Sequence, residues 1–404
     1  MLSKFKLIAS QVLSAVALLS AATSQAQVSD DVVRIGFISD MSGLFSDLDG
    51  PAGAEAIRMA INEMGGTVHG KKIELLVADH QNKADVAGSK AREWFDQQHI
   101  DVLIGGTNSG ASLAMAGVAA EKKKPFLAVG AGASALTNER CTPYTAHWAY
   151  DTVALAKGTG SAVVRAGGKS WFILAADYAF GTSLQTDASN VVKAAGGTVS
   201  GAVRHPLSAS DLSSFMLQAQ SSKAQILALA NAGGDFINSV KAANEFGVTR
   251  TMKLAGLLVF INDIHALGLK TTQGMYLTDS WYWNQSPESR TWSRKFFDKF
   301  KRMPSSVQAA DYSAALQYLR AVKATGGDDG DKVMAQLRKA KFDDVFMKGG
   351  YLRQDGRVVH DMYLMQVKTP QESSEPWDYY KVVDTIKGDA PWATKAESKC
   401  PLWK

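Results

Sequence analysis

Val33-Arg34-Ile35-Gly36-Phe37-Ile38, followed by the turn-forming Ser39-Asp40-Met41-Ser42-Gly43 and then by Gly50-Pro51-Ala52-Gly53, is the stretch from which the fold can be read. The short apolar run reads as a buried strand, and Pro51 is placed to open a helix at its first turn. Ile57, Ala60, Ile61 and Met64 fall on one face of that helix, and Gly65-Gly66 ends it. The unit then repeats. Strands are predicted at 72–78, 101–105 and 126–129, separated by a helix with Ala87, Ala91, Trp94 and Phe95 on one face and by a helix over 112–121. The pattern restarts at 171–175 and continues with strands at 198–204, 225–230, 252–257 and 275–278, with helices such as 184–195 and 236–246 between them. Strands spaced by helices of this length imply parallel sheets covered on both faces, and two such series imply an α/β fold of two doubly wound lobes. Helices over 289–301, 308–324 and 332–341 and late strands at 347–352 and 361–367 complete the chain.

At 404 residues, 46% hydrophobic and 21% charged, the chain has the apolar material for two cores and no signature of disorder. Residues 1–26 read as a cleaved export signal. Lys4 and Lys6 precede an apolar stretch over 7–22 that is too short and interrupted to span a bilayer, and Ser24-Gln25-Ala26 supplies a small-x-small cleavage pattern. No cysteine follows that stretch to carry a lipid, so no membrane anchor is expected after cleavage. The formal charge of +5, or +3 without Lys4 and Lys6, is too small for a nucleic-acid footprint, and Lys122-Lys123-Lys124 reads as a solvated helix end. Cys141 and Cys400, an even count in an exported chain, suggest a disulfide closing nearly the whole mature chain, with two isolated thiols as the alternative; neither has a second Cys or a His at ligand spacing, which disfavours a metal site.

The carboxyl ends of the strands carry the functional reading. In the first series these are Asp40-Met41-Ser42-Gly43, Gly105-Gly106-Thr107-Asn108-Ser109-Gly110 and Gly130-Ala131-Gly132-Ala133-Ser134; in the second, Asp177-Tyr178-Ala179-Phe180-Gly181 and Asn231-Ala232-Gly233-Gly234. Ligands of open α/β sheets bind outside those ends, where small residues admit a guest to the backbone and a helix N-terminus favours an anion. One such loop is explained by a tight turn; five, split between two halves, argue for a cleft. Residues 130–135 fit the dinucleotide fingerprint with a terminal alanine, but they close a third strand instead of opening a first, so they read as a turn or anion cradle and no cofactor is expected. P-loop, H-E-x-x-H and G-x-S-x-G motifs are absent, and His69, His80, His99, His147, His205, His265 and His360 form no i, i+4 metal pair. His147 is set apart by its place at the passage between the halves. Trp281-Tyr282-Trp283 directly follows a strand, and three consecutive large aromatics cannot all face one core. Trp281 and Tyr282 are therefore cleft candidates, while Trp148 and Trp283 suit packing; Phe45, Tyr144, Tyr150, Tyr178 and Phe180 add aromatic rings in loops and crossings.

Taken in order, Ile35-Gly36-Phe37-Ile38 with Ser42-Gly43, Gly53-Ala54-Glu55, Leu103-Ile104-Gly105-Gly106 with Ser109, the stretch 126–137, Asp177-Tyr178-Ala179-Phe180-Gly181 and Gln273-Gly274-Met275 resemble the periplasmic solute-binding proteins of the branched-chain amino-acid type. The resemblance covers essentially the whole mature chain. It implies a type I fold of two lobes, 27–148 plus 281–355 and 149–280 plus 356–404, joined by a three-segment hinge at 145–152, 277–282 and 352–360. It implies a periplasmic, non-enzymatic monomer that hands a small molecule to an ABC permease at the inner membrane. It also implies that the loop at 107–109, through Asn108 and Ser109, and the backbone of Gly130, Ala131, Gly132 and Ala133 hold a ligand carboxylate, that Phe45 covers the ligand, and that Tyr178 or Phe180 with Asn231 and Ala232 contribute from the second lobe. His147, Leu257, Trp281 and Tyr282 complete the candidate set.

One departure bears on the ligand. Amino-acid binders of this type carry a carboxylate after the strand equivalent to 252–256, where it pairs with the ligand ammonium; Gly256-Leu257-Leu258-Val259-Phe260 has none, and Asp235 is expected to cap the helix it precedes. An ammonium buried without a partner is costly. The expected ligand is therefore an aromatic or branched aliphatic carboxylate or keto acid. The alternatives are an amino acid or amide, a sensing role, or a secreted hydrolase or oxidoreductase.

Overall fold

A computed structural model describes residues 28–404; the expected export signal lies outside them. β1 (Val32–Ser39), β2 (Thr67–Val68), β3 (Lys71–Asp79), β4 (Val102–Gly105), β5 (Phe126–Ala128) and β6 (Thr145–His147) form one sheet in the order β2-β3-β1-β4-β5-β6, parallel except for the β2–β3 hairpin. β7 (Ser170–Ala176), β8 (Thr198–His205), β9 (Ile226–Ala230) and β10 (Lys253–Gly256) form a second, wholly parallel sheet in the order β10-β9-β7-β8. Each half is doubly wound, with β1 and β7 at interior positions beside a switch in strand order.

The next strand departs from the expected pattern. β11 (Tyr276–Asp279), reached through the helices Ile261–Leu267 and Leu269–Thr272, does not extend the second parallel sheet but belongs to a separate three-stranded one, and after it the chain leaves for the first half. β12 (Tyr351–Leu352) and β13 (Val358–Val359) form a short hairpin where one longer strand was expected at 347–352. β14 (Met362–Val367) then comes back antiparallel to β11, and β15 (Tyr380–Ile386), which the sequence pattern did not signal, completes a sheet in the order β11-β14-β15.

Between β11 and β12, the helices Pro287–Phe300, Ser306–Thr325 and Gly330–Lys339 return to the first half. Ser306–Thr325 packs on the early helix Gly50–Glu63 and starts with a capping box between Ser305 and Gln308. The chain thus passes between the halves three times: after β6, after β11 and between β13 and β14. The first and third passages lie side by side. His147 N donates to Gly356 O at 2.7 Å, and the fully buried Arg357 donates from Nη2 to Trp148 O at 2.5 Å. The Cys141–Cys400 disulfide is formed, and the tail it ties down runs across this passage, where Lys157 Nζ donates to Trp392 O at 2.8 Å.

Candidate functional site

A small, partly open cavity of about 10 Å³, room for about one water, lies between the halves. Every part of its wall comes from a strand tip or from the crossing beyond one. From the first half, Phe45 and Leu48 follow β1, Thr107 follows β4, and Gly130 and Gly132 follow β5. Tyr150 stands on the crossing after β6. From the second half, Tyr178 and Phe180 follow β7, Ala232 follows β9, and Leu258 and Phe260 follow β10. The two sets touch. Phe45 and Tyr178 rings lie 6.3 Å apart, and Asn262 Nδ2 donates to Asp47 O at 3.2 Å. The backbone makes this approach possible at two glycines. Gly233 has a φ of +58°, and a Cβ there would stand 2.9 Å from Leu44 O; a Cβ on Gly132 would stand 2.7 Å from the Phe180 ring.

The polar atoms of the wall are few. Tyr150 donates its hydroxyl hydrogen to Gly130 O at 2.8 Å. Thr107 Oγ1 donates to Asp49 Oδ2 at 2.9 Å, and Ser39 Oγ bonds both of those atoms. Behind Thr107, Asp49 faces Asp311 across Gly53; a Cβ on Gly53 would come within 2.0 Å of Asp49 Oδ1 and 2.7 Å of Asp311 Oδ2. Both carboxyls are fully buried. Burial first, and then the charge of Asp49, drive Asp311 far above the usual carboxylate range. Burial also raises Asp49, against the hydrogen bonds from Asp311, Ser39 and Thr107 that favour its charged form. No side chain on the wall is basic.

The family model for periplasmic binding proteins matches residues 32–374. The chain belongs to the periplasmic binding proteins. A periplasmic binding protein of Burkholderia mallei is 66% identical, superposes with a TM-score of 0.92, and is covered over 100% of its length by 93% of this chain. A branched chain amino acid ABC transporter periplasmic ligand-binding protein of Burkholderia xenovorans is 37% identical with a TM-score of 0.82, over 92% of this chain and 100% of that one. A solute binding protein of an R. palustris ABC transporter, solved in complex with benzoate, shares the fold at a TM-score of 0.80 with 20% identity, over 92% and 100% of the two chains. The family captures solutes for ABC transporters; it is not a family of enzymes.

Within the binding protein, the residues expected at the ligand site separate into two groups. Phe45, Gly130, Gly132, Tyr178 and Ala232 are on the cavity wall. Ser109 is just behind it, where its Oγ accepts from Gly132 N and Ala133 N, both at 3.2 Å. Those two amides therefore point at Ser109 instead of standing open to a guest. Asn108 caps its helix, accepting from Gly110 N at 2.9 Å and Ala111 N at 3.1 Å. His147 lies under the loop and donates from Nε2 to Ala131 O at 2.6 Å; burial, then the charge of Arg357, hold its pKa well below the ordinary value.

The others also lie off the wall. Asn231 Nδ2 bonds His205 Nε2 and Ser239 Oγ inside the second half, and Leu257 is core, its neighbours Leu258 and Phe260 reaching the cavity instead. Trp281 donates from Nε1 to Val345 O at 3.0 Å, and Tyr282 donates its hydroxyl to Trp377 O at 3.2 Å. Asp235, expected to cap the helix Gly234–Glu245, makes no such cap; its carboxylate accepts from Ser208 N at 3.1 Å, because Ser208 comes from a neighbouring tip. Leu48, Leu258 and Phe260 were not singled out as site residues in the sequence. They occupy loop positions whose period is neither helical nor extended, and only the meeting of the halves gives them a role.

Proposed function

We propose that the chain is the substrate-binding protein of an ABC importer and captures a small carboxylate, an aromatic acid or a branched aliphatic or keto acid, by closing its two halves. Residues 1–26 would direct it to the periplasm, the halves would be 27–148 plus 281–355 and 149–280 plus 356–404, and a permease at the inner membrane would receive the ligand from the monomer. One observation carries the reading: a cavity whose wall draws on the tips after β1, β4, β5, β7, β9 and β10, with halves in contact around it.

The aromatic rings of Phe45, Tyr150, Tyr178, Phe180 and Phe260 suit a flat or apolar body. Ser109 accepts two amides and so keeps its own hydrogen to give, and burial keeps the Tyr178 hydroxyl protonated as a donor; both suit a carboxylate. The segment after β10 offers Leu258 and Phe260 where an ammonium would need an acid. The test is a thermal-shift screen followed by calorimetry with benzoate, hydroxybenzoates, aliphatic keto acids, branched-chain amino acids and amides. Acids should raise the melting temperature because they bind only the folded form, and amino acids should not. Tight binding of leucine or isoleucine with no response to any acid would overturn the carboxylate reading.

A further inference from the structure

The hydrogens of the cavity's first-half side can be counted. Asp49 Oδ1 has no partner other than the facing Asp311 carboxyl, and neither oxygen of Asp311 has any other partner. Two carboxyls this close in a dry site cannot both ionise, so one proton is held between them, on the Oδ1 side of Asp49. Asp49 Oδ2 is then a pure acceptor. Ser39 gives its only hydrogen to it. Thr107 has one hydrogen, and its inward partners, Asp49 Oδ2 and Ser39 Oγ, both take it in that direction. Tyr150 has likewise given its hydrogen to Gly130 O. The hydroxyls of Thr107 and Tyr150, both residues of the cavity wall, are therefore left with lone pairs only to offer a guest.

We infer that Thr107, held by Asp49, determines specificity: at Thr107 and Tyr150, though not at Ser109, the first-half side accepts hydrogen bonds and cannot donate them, so it selects a ligand whose inner end carries a hydroxyl or neutral N–H in preference to a plain hydrocarbon, ether or halide. The inference rests on the reading of the cavity as the ligand site and deepens it. A ring or chain bearing a donor satisfies the buried lone pairs. One without a donor strips water from them and gives nothing back, which is the asymmetry that makes polar sites reject apolar analogues more strongly than apolar sites reject polar ones. Asp311 is a positioning residue, since it acts only by keeping the shared proton away from Oδ2.

The experiment is calorimetry with matched probes: benzoate, 4-hydroxybenzoate, 3-hydroxybenzoate, 4-aminobenzoate and 4-methoxybenzoate, with phenol and anisole as an uncharged pair. The better hydroxybenzoate should bind roughly tenfold or more tighter than the methoxy compound. Thr107→Val should bring that ratio close to one, whatever the absolute affinities become, and Thr107→Ser should restore it. Equal binding of hydroxy and methoxy probes, or a ratio that survives Thr107→Val, overturns the inference while leaving the binding function standing. Binding of phenol over anisole with no response to any acid would do the reverse, sustaining the donor rule and removing the carboxylate. A ligand-free measurement closes the remaining gap. The infrared protonated-carboxyl band at neutral pH should lose intensity in Asp311→Asn relative to wild type; no difference would remove the shared proton on which the count depends.

Discussion

The two sides of the cavity differ in what sits beside their apolar residues. Besides Phe45 and Leu48, the first half brings small and polar groups, Thr107, Gly130 and Gly132, backed by Ser39 and a buried acid pair whose hydrogen bonds are made before any guest arrives. The second half, Ala232 apart, brings bulk alone: Tyr178, Phe180, Leu258 and Phe260, positioned by packing. The difference teaches a division of labour. The floor discriminates, and the roof excludes the water that would otherwise weaken that discrimination, since hydrogen bonds count for more in a dry, low-dielectric site.

The strongest way to break this contrast is to hollow out the roof. Phe260 is 1% exposed, its ring 6.0 Å from that of Tyr150. Phe260→Ala should cost about 3–5 kcal/mol of stability in chemical denaturation, the range for a buried phenylalanine. Thr107→Val, similar in shape, should cost clearly less, with its effect in selectivity. If the two substitutions destabilise equally, the floor is as much a packing element as the roof and the division fails.

Acidity separates the sides a second time. In the floor, Asp49 is compensated by hydroxyl donors and a neighbouring proton. Asp279, at the end of β11, accepts from Ser280 N at 2.7 Å, and burial pushes it up to about 7; Asp263, which accepts from Phe260 N at 2.9 Å, is pushed up to about 8, again mainly by burial. An unfolded aspartate titrates near ~3.9. Because the folded values lie higher, the native state holds these protons more tightly. The stability they lend is complete below the unfolded value and is lost as pH rises through the folded one, up to roughly 4 kcal/mol for Asp279. Buried His80, His147 and His360, whose values burial lowers, add stability as pH rises to about 6.5 and so oppose this loss. The effect of Asp279 is read as a difference: between about pH 5 and about pH 7 the melting temperature of wild type should drop relative to that of Asp279→Asn, and parallel profiles would mean that Asp279 ionises without penalty.

The seam between floor and roof is the third test. A Cβ on Gly132 would meet the Phe180 ring at 2.7 Å and Tyr150 at 3.3 Å, neither of which can swing away. Gly132→Val should leave each half folded but hold them apart. Overpacking of this kind costs about 1–3 kcal/mol, so affinity should drop roughly 10- to 100-fold. Unchanged affinity would show that closure is not needed for binding.

How much of this is legible in the sequence follows from the range of the interactions involved. The strand tips are legible because each is local: a run of apolar residues, then Gly, Ser or Asn at a turn. Phe45, Gly132 and Tyr178 can be picked out that way. The acid pair is not, because Asp49 and Asp311 come from opposite ends of the chain and meet only when the helix Ser306–Thr325 packs on Gly50–Glu63. Trp281 and Tyr282 show the same limit from the other side. Three aromatics in a row suggest surplus side chains for a cleft, yet Val345 and Trp377, distant in sequence, absorb two of them. The antiparallel pairing of β11 is equally non-local, being set by where β14 returns.

Asn108 offers the smallest and sharpest comparison, between a ligand contact and a helix cap. Its Oδ1 accepts from Gly110 N and Ala111 N, leaving the helix Ser109–Lys122 properly started and Ser109 and Thr107 held on either side of it. If it is a cap, Asn108→Ala should cost about 1 kcal/mol of stability, and Asn108→Asp or Asn108→Ser should recover most of that, since both supply the same oxygen. Affinity should follow stability across the three variants. If it is a ligand contact, Asn108→Asp should instead repel an anionic guest and lose affinity while keeping the melting temperature. The charge introduced by Asp at a helix N-terminus favours the fold and opposes a carboxylate, so the two roles move the two measurements in opposite directions.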